Sequence, residues 1–245
     1  MIGEPYAVVS CHVEAPLDDR VWAAFASVQA RRPGGFRIAA LIRPPDREAG
    51  EREDVWLERA RAAAALGPLG HHTHFVGPEH ARPSQPGPEH AKRVRAEAEW
   101  LREQGLQPRF FCGGGWYIDE HVAAVLGELG YVDCTATAFR PAYLAAGVPR
   151  LGLAAPAWLT LDGVRVLELP TTHSLGRAAR GLLRPGTGSP HLYFHDTDLL
   201  DRRRRLALLA TLGALRRRRL VLDLDRLADE VAPTAPERTF ASARG

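Results

Sequence analysis

His72-Thr73-His74 sets two imidazoles at i and i+2, and on an extended segment residues two apart project from one face. Such a pair can chelate a single metal ion, because neutral imidazole is the commonest protein ligand for zinc and its neighbours. A lone HxH is also compatible with histidines bonded into a core, so the other unusual polar residues decide what the pair is for. They recur at the ends of apolar runs: His12 and Glu14, Gly113-Gly114-Gly115 followed by Trp116 and Tyr117, Asp133, and His195 with Asp196. His80, His90, His121, His173 and His191 have no such company and are expected to be surface or structural residues.

The elements that must position these residues follow from pattern. Tyr6 to Cys11 predicts a strand, and Pro16 stops it before Asp18 or Asp19 caps a helix bearing Val21, Trp22, Phe25 and Val28 on one face. Phe36 to Ile42 predicts a second strand, followed by an Ala-rich helix from Glu51 to Leu66 that Gly67 ends. His71 to Val76 is a third extended piece, Gly77 to Pro88 a Pro-rich loop, and Glu89 to Gln104 an amphipathic helix. Arg109 to Cys112 predicts a strand, and Asp119 caps a helix whose Val122, Val125, Leu126 and Leu129 keep helical spacing before Gly130. Tyr131 to Thr135 resumes as strand, and Leu159 to Leu169 predicts a hairpin turning at Asp162-Gly163. His191 to His195 is extended, a helix carrying Leu199, Leu200, Leu206, Leu209 and Leu212 follows, and Leu220 to Leu224 predicts a last strand. This alternation calls for a parallel sheet covered by helices, a barrel in preference to a doubly wound sheet, with chemistry at the C-terminal strand ends.

Composition bounds the rest. With 245 residues and 45% hydrophobic content the chain can bury a full core, and no linker splits it into comparable halves. Residues 1–233 therefore read as one catalytic domain, and 234–245 as a C-terminal tail with few apolar residues. The net charge of +3 is too small to imply nucleic acid, although Arg202 to Arg205 and Arg216 to Arg219 are dense basic runs. Cys11, Cys112 and Cys134 form no CxxC pair and are odd in number, so they read as buried small hydrophobes. No apolar run approaches the roughly 20 residues of a membrane span, and Met1 to Ser10 lacks a signal-peptide pattern, so a cytoplasmic location is expected.

In order and separation, four segments resemble the polysaccharide deacetylase family, carbohydrate esterase family four: Val9-Ser10-Cys11-His12-Val13-Glu14, His72-Thr73-His74, Leu129-Gly130-Tyr131-Val132-Asp133, and Leu192-Tyr193-Phe194-His195-Asp196. The resemblance implies a distorted (β/α) barrel that removes acetyl from an N-acetylated sugar or glycan precursor. It further implies one divalent ion, zinc before cobalt, nickel or manganese, held by a carboxylate and two histidines, His72 and His74. The family usually spaces those histidines more widely and begins with two adjacent aspartates, one base and one ligand, where this chain has His12 and Glu14.

Two imidazoles and one carboxylate leave positions on an ion for water and the amide carbonyl, which hydrolysis requires. Glu14 is the better third ligand, with His12 as base; the reverse assignment stays open. His195 matches the family histidine that protonates the leaving amine, and Asp133 or Asp196 is a candidate to orient a ring, Asp196 being also a candidate helix cap. Gly114 allows close backbone approach to a ligand, and Trp116 or Tyr117 offers a face for a sugar. The altered first motif also allows a catalytically degenerate barrel that binds a glycan or a protein partner.

Overall fold

The computed structural model describes residues 2–77, 81–138, 149–181 and 188–244. In chain order the elements begin β1 (Tyr6–Val13), α1 (Asp19–Arg31), β2 (Ala39–Ile42), α2 (Glu53–Leu66), β3 (Leu69–Thr73), α3 (Pro88–Glu103), β4 (Phe110–Gly113), α4 (Glu120–Leu129) and β5 (Val132–Asp133). They continue β6 (Ala157–Leu161), β7 (Val164–Glu168), β8 (His173–Ser174), α5 (Leu175–Gly181), β9 (His191–His195), α6 (Arg202–Arg216), β10 (Leu220–Val221), α7 (Leu224–Val231), β11 (Glu237–Thr239) and α8 (Phe240–Ala243). The chain groups into two compact units, residues 1–69 with 172–230, and residues 70–171 with 231–245.

In the first unit β1 is central. It runs parallel to β2, with His12 beside Leu41, and parallel to β9, with His12 beside His195. The strand is buried from Ala7 onward, which is why it reads as a nearly unbroken apolar run rather than an alternation. Asp18 caps α1 by accepting from the backbone N–H of Arg20 and Val21, and Val21, Phe25 and Val28 face the core. Gln29 of that helix donates to the carbonyls of Ile38 and Ala63, joining α1 to α2 and to the approach to β2.

Two expectations change here. The strand expected over Leu220 to Leu224 shortens to β10, because Asp223 accepts from the Arg226 N–H and starts α7, which buries Leu224, Leu227 and Ala228. Of the leucines expected on the following helix face, Leu199 and Leu212 are buried while Leu200, Leu206 and Leu209 are exposed, and Leu208, outside the expected set, is buried. The cause is Asp201: it caps α6 after a separate 3-10 turn over Asp196–Leu200, so the two pieces do not share one helical phase.

In the second unit β3, β4, β5 and β7 are parallel, β6 is antiparallel to β7, and β11 is parallel to β6. The β6–β7 hairpin turns through Asp162 and Gly163 with φ of 47° and 83°, the positive pair that an Asp-Gly turn favours. Asp119 caps α4 through the Val122 N–H, and Gly130 closes it at φ 74°. The unit's core includes Phe75, Phe111, Tyr117, Leu126, Tyr131, Val166 and Phe240. Within 234–245, where a tail is expected, β11 pairs with β6, and α8 buries Phe240 and Ala243. Few apolar residues suffice there because each lands on a prepared surface.

Candidate metal centre

On β3 the alternation of a strand separates two chemistries. His71 and Thr73 face α3. The His71 Nε2 lies 2.8 Å from the Glu97 carboxylate, to which the Thr73 hydroxyl donates at 2.7 Å and the Arg93 Nε at 2.9 Å. Burial by itself would raise the Glu97 carboxyl, but the contacts with His71, Arg93 and Thr73 hold it below its ordinary value. This network anchors the strand, and sequence inspection missed it because Glu97 lies 24 residues from Thr73.

His72 and His74 project the other way. Both are buried, with ring centroids 5.1 Å apart and planes at 76°. His72 Nδ1 lies 2.8 Å from the Cys112 carbonyl oxygen on β4. A carbonyl accepts and never donates, so Nδ1 carries the proton and Nε2 presents the lone pair, the tautomer of a metal-ligating histidine.

In the first unit, ligand atoms of His12, Glu14 and His195 lie within 4.8 Å of one another. The His195 Nε2 is 3.7 Å from a Glu14 oxygen, and the His12 and His195 rings meet edge to face at 5.5 Å. Neighbouring register positions on β1 and β9 produce this, and Tyr193 stacks on His12 at 5.0 Å. Asp198 is a residue that sequence inspection missed. It accepts the backbone N–H of His195 at 3.1 Å and stands 3.9 Å from the ring Nδ1, and its signal was an acid three residues after a strand-end histidine.

Asp196 is not a cap for the helix at Leu199. It is fully buried and accepts from the Ala15 and Thr197 N–H groups, and burial pushes its carboxyl up to about 6. His191 binds the Ser10 hydroxyl at 2.9 Å and His90 the Gln85 carbonyl at 2.9 Å, structural roles both; His80 lies outside the described residues.

Asp133 sits at the end of β5 with no exposure. One carboxylate oxygen accepts from the Thr135 N–H and hydroxyl, the other has no hydrogen-bond partner among the described residues, and the nearby Glu168 is equally buried. Thr135 in turn accepts the Gly113 N–H, so Asp133 positions β4 through Thr135. Trp116 and Tyr117, expected to offer a face to a sugar, are both buried. Trp116 is 3% exposed and Tyr117 not at all; the Tyr117 ring packs on Phe75 and His90 and its hydroxyl donates to Asp119. Gly114 does accept a close backbone neighbour, but it is Thr73: an added Cβ would lie 2.7 Å from the Thr73 carbonyl oxygen. The three glycines let two strands and a tight turn coexist, which their sequence spacing alone does not distinguish from a ligand cradle.

No family model matches the chain, and no curated protein matches it. Solved structures do. A mutant of a CE4 family pseudoenzyme with restored enzymatic activity superposes with a TM-score of 0.58 at 9% identity, covering 96% of this chain and 70% of that one. A 4-alpha-glucanotransferase from Thermococcus litoralis gives 0.52 at 13% identity over 94% of this chain, which spans 39% of the glucanotransferase. A family 4 carbohydrate esterase from Streptomyces lividans, in complex with acetate, gives 0.48 at 9% identity over 98% of this chain and 96% of that one. At these identities what is shared is the fold. The mixed α/β, largely parallel architecture is thus common to this chain and the CE4 family pseudoenzyme. No helix among the described residues is long and apolar enough to cross a membrane.

Proposed function

We propose that this chain is a metal-dependent amide hydrolase that removes acetyl from an N-acetylated sugar or glycan precursor. The His72 tautomer carries this reading: a proton fixed on Nδ1 by the Cys112 carbonyl makes Nε2 a donor atom, with His74 beside it. In this reading His72, His74 and Glu14 hold a divalent cation, zinc first, and two neutral imidazoles with one carboxylate fit such an ion. The bound ion supplies polarisation of the amide carbonyl and lowers the pKa of water to roughly 7. His12 then accepts the proton of the attacking water, and His195, half-exposed and steadied by Asp198, delivers one to the departing amine.

Elemental analysis and acetate release together test this. Purified protein is expected to hold a stoichiometric divalent ion, to lose acetate release on chelation and to recover it when zinc is returned. The double variant His72→Ala, His74→Ala should lose both ion and activity; acetate release that survives in it under chelation rejects the reading. A second reading, a binding protein without turnover, is favoured by the His12 and Glu14 pattern in place of paired aspartates and by the kinship of fold with a pseudoenzyme. Stoichiometric sugar binding by an ion-free protein would select it.

A further inference from the structure

A cleft of about 290 Å³ opens beside His195 within the first unit. Leu175 and Tyr193 give it apolar walls, while Ser174, His195, Asp198 and Arg204 line it with polar groups. Arg204 is tethered at one end, an Nη donating to Asp198, which itself accepts the His195 backbone N–H. The other guanidinium nitrogens take no protein acceptor among the described residues, so most of the donor fork is left for a ligand.

The surroundings favour an anion. Arg202, Arg203, Arg204 and Arg205 are all exposed at the start of α6, whose first turn holds no acidic residue. That end of a helix already carries partial positive charge, so four arginines there oppose the helix's own dipole. Against them stand the carboxylates of Asp198 and Asp201. A dianion with several acceptor oxygens gains more from this arrangement than a monoanion, and Arg is the side chain whose planar fork matches phosphoryl oxygens.

We propose that this cleft binds the phosphoryl group of a phosphate-bearing N-acetylated sugar, with the Arg204 fork on the phosphoryl oxygens and the sugar ring against Tyr193, beside His195. The proposal deepens the hydrolase reading and rests on it for the role of His195. A phosphomonoester on the sugar and the diphosphate of a nucleotide-linked sugar offer the same chemistry.

The test compares N-acetylglucosamine 1-phosphate, uridine diphosphate N-acetylglucosamine and neutral N-acetylglucosamine, by calorimetric binding and by amine release, on the zinc-loaded full chain. At least one phosphorylated sugar is expected to bind about tenfold tighter than the neutral one, by an advantage that shrinks as salt rises. The ratio should fall towards one in Arg204→Gln and partly return in Arg204→Lys, which keeps the charge and loses the fork. Which phosphorylated probe gains more identifies the source of the phosphoryl group. Equal binding of charged and neutral sugars, or a preference that Arg204→Gln leaves intact, overturns the proposal. An Arg204-dependent preference without amine release upholds the subsite and rejects the hydrolase, whereas amine release with no preference does the reverse.

Discussion

At the scale of residues, the count of histidines matters less than the atom each one turns outward. His72 is assigned by a carbonyl on the neighbouring strand, and His71, one position away, is consumed by Glu97. If Glu14 is the third ligand, Glu14→Gln should lower zinc affinity by at least about tenfold, read by competition with a chelating dye, a range typical of damage to a ligand set. Asp133 and Glu168 give a second prediction. Two facing carboxyls with no exposure cannot both ionise, and burial followed by the Asp133 charge pushes the Glu168 carboxyl well up. The folded chain therefore binds more protons than the unfolded one above the ordinary Glu value of 4.5. The stability this confers is complete below that value and is lost as pH rises through the raised one. Glu168→Gln keeps an acceptor for the Ala136 N–H and offers Asp133 an N–H, so denaturant unfolding followed from about pH 5 to 9 should lose much of its alkaline decline. An unchanged slope in the variant would mean that the two acids share no proton.

At the scale of elements, most boundaries follow from caps and periods that act locally. Asp18, Asp119 and Gly130 each do what their types do at helix ends, and Asp162-Gly163 turns a hairpin. Asp119 does more than its motif indicates. Besides capping α4 it accepts the Tyr117 hydroxyl and the Gly87 N–H, all in a buried setting. Asp119→Ala should therefore destabilise by about 3 kcal/mol, the loss of a cap together with a stranded buried hydroxyl, measured by chemical denaturation. Asp119→Asn should recover part of it, because the amide oxygen still accepts. Where local signals failed, as at α7 and the break before α6, a two-residue spacing of Asp and Leu fits either a strand end or a helix start, and packing selects between them.

At the scale of the whole molecule, the last residues belong to the unit built from the middle of the chain. Phe240 is 2% exposed in a core that, apart from it and Ala243, is drawn from residues 75–166, so Phe240→Ala should lower the unfolding free energy by about 3 kcal/mol, where a solvated tail would show no change. Taken alone, the order of residues determined the α/β class, the helix caps and the hairpin, and it singled out Glu14, His72, His74 and His195 as candidates for the proposed chemistry. Those features are local or periodic, and they are written in spacings of two to four residues. The tertiary structure decided that Tyr117 and Asp133 are buried supports, that Asp198 and Glu97 hold histidines in place, and that the final strand and helix are ordered. Each of those outcomes depends on which faces of distant segments meet, and a side chain's burial and partner are properties of that meeting, which no single stretch of sequence encodes.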